Sequence, residues 1–75
     1  GRYPEVEEAA RVSLVLESYP VETPVPLDEI ADRAGVPRRK ARITFMLLKR
    51  HGAVREHRGG SWERLRDGLT RVDFQ

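Results

Sequence analysis

The sequence predicts an α+β domain of three helices with a two- or three-stranded antiparallel sheet, and three observations carry that expectation. Apolar residues recur at helical spacing in three stretches, 4–19, 27–34 and 37–51. Breakers stand between them: Pro20, then Gly35-Val36-Pro37, then Gly52. Finally, Gly59-Gly60 sits between two short runs, 53–57 and 62–65, in the pattern of a hairpin.

The first helix is predicted over Pro4 to Tyr19. Pro4 suits a first turn, where a missing N–H costs nothing. Glu5, Glu7 and Glu8 favour the positive end of the helix dipole. Val6, Ala9, Ala10, Ser13, Leu14 and Leu16 follow the helical period, with Glu17 at the margin and Val12 and Val15 widening the apolar side. Ala10, Leu14 and Leu16 are the expected core residues, with Tyr19 at the core edge. Pro20, Pro24 and Pro26 then exclude a central strand. They leave room for one short edge strand over Thr23–Val25, expected to pair with the hairpin.

The second helix starts near Leu27, with Asp28 and Glu29 in its first turn. Leu27, Ile30, Ala31 and Ala34 form an i, i+3, i+4, i+7 face. Gly35 closes the helix because a C′ residue adopts positive φ, which glycine tolerates. Val36 tucks into the angle, and Pro37 opens the third helix. That helix runs to about His51 and is stopped by Gly52. Ala41, Phe45 and Leu48 are its core-facing set, and small Ala41 permits a close helix crossing. Strands over Ala53–His57 and Trp62–Leu65 flank the turn, with Val54 and Trp62 pointing inward. A lone hairpin is marginal, so it needs the helices behind it. Leu69, Val72 and Phe74 are expected either to pack back on the first helix or to lead onward into a parent protein.

Seventy-five residues allow one domain with a small core. The chain opens on Gly1 rather than Met, which leads us to expect a module of a larger protein, with 66–75 as its tail or linker. No cysteine is present, which excludes a disulfide framework and thiolate metal sites. No apolar run reaches the length of a membrane span, and cytoplasmic location is the expectation. The net charge of +2 conceals an asymmetry. Residues 1–34 carry three basic and eight acidic side chains, and residues 35–75 carry eleven and four. A fold this small then presents one positive face.

The stretch 27–50, a short helix, a glycine turn and a longer basic helix, has helix-turn-helix geometry. Together with Gly52-Ala53-Val54 and the Gly59-Gly60 hairpin, it resembles the winged helix-turn-helix superfamily over nearly the whole chain. That resemblance implies duplex DNA binding, with the third helix in the major groove and the wing beside the backbone or minor groove. Fold alone does not settle function, since superfamily members also bind RNA, junctions or proteins. The Arg-Lys-Ala-Arg opening of the third helix and the Arg-Glu-His-Arg-Gly-Gly wing are also similar to accessory domains of bacterial DNA helicases of the RecQ kind. That similarity implies a place beside an ATP-driven motor at a fork, although this chain holds no phosphate-binding loop.

Arg38, Arg39, Lys40 and Arg42 crowd the opening turns of the third helix, the end that reaches base edges in this geometry. Positive charge there opposes the helix dipole, so its placement points to an anionic partner. Arg55, His57, Arg58 and Arg64 form a second group on the hairpin, suited to the phosphate backbone, and Arg66 extends it. Thr44 is a candidate phosphate donor, or else bonds the carbonyl four residues back. Ile43, Met46 and Leu47 form an apolar stripe beyond the core set. It is a candidate docking face for another domain, a partner or the tail, or a surface for thymine methyls. Trp62 is read as a half-buried anchor, with stacking on an unpaired base as the alternative.

His51 and His57 lack partners at metal-ligand spacing. Ser13 and Ser61 have no evident base. No cofactor, metal site or catalytic group is expected in the isolated domain, whereas the parent is open to being a helicase. Three functions follow: a duplex- or fork-DNA module held by phosphate contacts, a protein-interaction winged helix using the apolar stripe, and the headpiece of a transcription regulator.

Overall fold

A computed structural model describes residues 5–69. The elements run α1 (Val6–Glu17), β1 (Val25–Pro26), α2 (Leu27–Ala34), α3 (Arg38–Arg50), β2 (Val54–His57) and β3 (Ser61–Arg64). The three strands form one antiparallel sheet in the order β1-β3-β2. This is the expected α+β architecture with winged helix-turn-helix topology.

α1 is shorter than expected. The Ser18 and Tyr19 amides donate to the carbonyls of Val15 and Leu16, both at 3.1 Å. That i→i−3 tightening ends the helix ahead of Pro20. Pro4 lies outside the described residues. The core face of α1 also differs from expectation. Ala9, Val12, Ser13 and Leu16 are buried, while Leu14 is 59% exposed and Ala10 only half-buried. α1 carries apolar residues on two sides, and contact with α2 and α3 selects the 9-12-13-16 side. Tyr19 does sit at the core edge. Its hydroxyl donates to Glu29 and accepts from Arg33, whose guanidinium lies 5.3 Å from the ring centroid.

α2 and α3 follow the predicted punctuation. Gly35 has φ 69° and ψ 34°, and the Val36 amide donates to Ala31 O at 3.1 Å. This is the 6→1 bond of a Schellman ending, whose left-handed residue is most at ease as glycine. Val36 is buried in the angle, and Pro37 caps α3 with φ −62°. Ala41, Phe45 and Leu48 are fully buried against α1, α2 and the sheet.

β1 is Val25–Pro26 rather than Thr23–Val25, and it pairs with the hairpin as expected, Val25 opposite Trp62. Pro26 has no N–H to donate, and its edge position tolerates that. β2 and β3 pair Val54 with Arg64 and His57 with Ser61. The connecting loop is therefore the three residues Arg58-Gly59-Gly60, and Ser61, expected in the turn, opens β3. Both glycines have φ 83°, a left-handed bend that side chains resist. Trp62 is fully buried against Phe45, with ring centroids 5.2 Å apart and planes at 40°. It is an anchor of the core rather than a stacking platform. Leu69 is also fully buried, and the Gly68 and Leu69 amides donate to Glu17 Oε1 at 2.8 and 2.9 Å. This segment thus packs on α1, while Val72 and Phe74 lie outside the described residues.

Candidate nucleic-acid interface

α3 carries the site because its inward direction is fixed by Ala41, Phe45 and Leu48. At 100° per residue the opposite side presents Arg39, Ile43, Met46 and Arg50. Arg42 and Lys49 flank that side toward the hairpin, and Lys40 flanks it toward α1. The exposures agree: Met46 is 42% exposed, Ile43 half-buried, and Arg39 and Arg50 exposed.

The hairpin lies against the same helix. A Cβ placed on Gly60 would stand 3.6 Å from an Arg38 terminal guanidinium nitrogen. The wing tip and the opening of α3 are therefore neighbours. Gly60 O also accepts from the Leu27 amide at 2.9 Å, which ties the tip to the start of α2. The wing is accordingly short and held down at its end. Exposed Arg58 stands at that tip.

Carboxylates partner many of these cations. Arg38 Nε pairs with Asp28 at 2.6 Å and Lys40 with Glu8 at 3.4 Å. Glu56 takes two cations at once, Arg42 and Lys49, each at 3.2 Å. On the other face of the hairpin, Glu63 is buried beneath Arg55 at 3.5 Å and His57 at 2.5 Å. Among the described residues, Arg39, Arg50 and Arg58 are exposed and make no salt bridge.

Two groups of sequence candidates are thus separated. Arg38 stands where α3 meets the hairpin tip that bears Arg58, Arg42 reaches Glu56 of β2, and Arg39 lies on the outward side of α3. Arg55 and His57 alternate to the sheet face away from α3, around Glu63. Three candidates lie inside. Arg64 is buried, donating to Tyr19 O at 2.6 Å, Arg66 O at 3.2 Å and Asp67 Oδ1 at 2.5 Å. It ties the sheet to the end of α1 and is not a wing cation. Thr44 is 1% exposed and its Oγ1 donates to Lys40 O at 3.3 Å, so its hydroxyl is turned back on the helix. Leu47 is 9% exposed and belongs to the core, which reduces the outward apolar stripe to Ile43 and Met46.

Sequence reasoning missed Glu56 and Glu63. Their signal is the two-residue period of the strands. With Val54 and Trp62 inward, Glu56 and Arg64 also turn inward, and Glu56 meets α3. The hydrogen bond from Lys49, with Arg42 adding to it, holds the Glu56 carboxyl below its ordinary value of 4.5, against partial desolvation.

Glu56→Gln is expected to strengthen DNA binding about three- to fivefold at low salt, because Arg42 and Lys49 lose an internal anion; the gain should shrink as salt rises. Titration calorimetry against duplex DNA checks it. The pH dependence has a definite sign. A carboxylate lowered in the folded state adds stability above its unfolded pKa and loses it as pH falls through the folded one. Acid unfolding below about 4.5 should therefore include a Glu56 component that the Gln variant lacks.

Among the described residues, no helix is long and apolar enough to cross a membrane, and no group of three His, Asp or Glu side chains could hold a metal ion. In comparisons with protein-family models, curated proteins and solved structures, nothing matches this chain.

Proposed function

We propose that this domain is a DNA-binding module that engages duplex or forked DNA through the outward side of α3 and the hairpin tip, mainly by phosphate contacts. One observation carries the reading: Arg38 reaches the Gly60 turn, so the opening of α3 and the hairpin tip that bears Arg58 lie side by side. Arg39, Arg50 and Arg58, which make no salt bridge among the described residues, are the leading phosphate contacts. Arg38, Arg42 and Lys49 are held in place by Asp28 and Glu56 and exchange those partners for phosphate on binding. Arg55 and His57 form a separate patch that a second DNA segment would meet, as the two arms of a fork provide. In this reading the domain supplies binding and orientation. Any ATP-driven chemistry belongs to a larger protein of the helicase kind.

Fluorescence anisotropy with labelled duplex, forked and single-stranded DNA across a salt series tests it. Six phosphate contacts, from Arg38, Arg39, Arg42, Lys49, Arg50 and Arg58, predict a log–log slope of about −5.4 on duplex, at roughly −0.9 per phosphate. A fork bound more tightly than duplex supports the use of both patches. Absence of binding to all three DNAs at low salt overturns the reading.

A further inference from the structure

We infer that the outward side of α3 reads thymine methyl groups, so that the domain prefers A·T-rich duplex. This rests on the DNA-binding reading above and deepens it. The middle of that side is apolar: Met46 is 42% exposed and Ile43 half-buried beside it. Its two ends are cationic, Arg39 and Arg50. They stand eleven residues apart in one helix, about 16 Å along its axis at 1.5 Å per residue.

The major-groove edges of the base pairs offer donors, acceptors and one apolar group, the thymine C5-methyl. Ile43 and Met46 form no useful hydrogen bond. A cytosine amino group or guanine carbonyl pressed against them would lose water without gaining a partner, which is unfavourable. A thymine methyl in the same place is buried at a gain. Charge complementarity selects the occupant. A surface anionic along both margins and apolar at its floor matches two guanidiniums around an apolar pair, and an A·T-rich groove between phosphate rails has that pattern. Thr44 and Leu47 are turned into the core, so no other side chain of α3 between Arg42 and Lys49 competes for the groove floor.

The test compares four short duplexes by anisotropy: alternating dA·dT, the same with deoxyuridine for thymidine, alternating dG·dC, and the same with 5-methylcytosine. Each pair differs only by the C5-methyl. Burial of one methyl is expected to change affinity roughly fourfold, and burial of two about fifteenfold. The wild-type domain should bind dA·dT about fifteenfold more tightly than its deoxyuridine counterpart, and 5-methylcytosine should strengthen dG·dC binding. Both differences should vanish in Ile43→Ala/Met46→Ala. Met46→Gln, a change at an exposed position that leaves the core intact, should lower the thymine preference to that of a single methyl. Equal affinity for the thymine and deoxyuridine duplexes, with binding itself intact, overturns this inference and leaves DNA binding standing; the apolar pair would then belong to a protein partner. A thymine preference that persists in the double variant overturns it equally. Failure to bind any duplex removes the DNA-binding reading, and this inference with it.

Discussion

Trp62→Ala is expected to destabilise the domain by about 3–5 kcal/mol, enough to leave much of it unfolded at room temperature. Trp62 is the largest fully buried side chain and stacks obliquely on Phe45, also fully buried. It occupies the central strand, opposite Val25 on one side and Glu56 on the other. Its removal therefore opens a cavity between Phe45 of α3 and the centre of the sheet. A domain of this size has a stability of only several kcal/mol to lose. Trp62→Phe separates packing from the indole N–H. The Trp62 Nε1 has no hydrogen-bond partner among the described residues, so Phe gives up no bond and keeps most of the ring contact. Its cost is expected to stay within about 1.5 kcal/mol. Urea unfolding followed by far-UV circular dichroism measures both, since the variants lose the chain's single tryptophan. A Trp62→Ala domain as stable as the parent would show that the hairpin does not depend on the helices behind it.

The elements that were legible in advance are those specified by local chemistry. Gly35 and Pro37 define the turn between α2 and α3 because one must adopt positive φ and the other arrives with φ preset. The four apolar residues of α2 lie on one face with charges elsewhere, so only one orientation buries them. α1 offered no such asymmetry. Its 6-10-14 stripe and its 9-12-13-16 stripe are both compatible with burial, and only packing against α2 and α3 decides between them. The site was legible as a concentration of charge but not as a set of partners. The inward orientation of Arg64 and Glu56 followed from the two-residue period once Val54 and Trp62 were placed inside. Reading Arg64 by its charge alone put it on the surface. The burial of Leu47 and Thr44 widens the core face of α3 beyond the usual stripe, on the flank that Lys40 turns toward α1.

Arg39→Ala/Arg58→Ala is expected to weaken duplex binding by about 10- to 100-fold near physiological salt, roughly 1.4–2.7 kcal/mol for the two exposed charge-assisted contacts together. The two residues stand on different elements, α3 and the hairpin loop, and both are exposed. Their joint effect therefore probes whether helix and wing act on the same DNA. Loss of two phosphate contacts should also flatten the log–log salt dependence by about 1.8. Charge removal alone does not predict that pattern, and Arg33→Ala is the control. Arg33 lies over the Tyr19 ring on α2 and donates to the Tyr19 hydroxyl at 2.6 Å, so its loss lowers net charge without removing a proposed contact. It should shift affinity by less than about threefold and leave the slope unchanged. Arg38→Ala/Arg42→Ala provides the sharper comparison. Those two side chains give up Asp28 and Glu56 when they turn to phosphate, so each contributes less net affinity than an arginine with no internal partner. Their double variant should lose less than the Arg39/Arg58 pair at low salt, although the formal charge removed is the same. Equal losses for the two pairs, with equal slopes, would mean that only the overall field of the domain attracts DNA and that no particular side chain holds it.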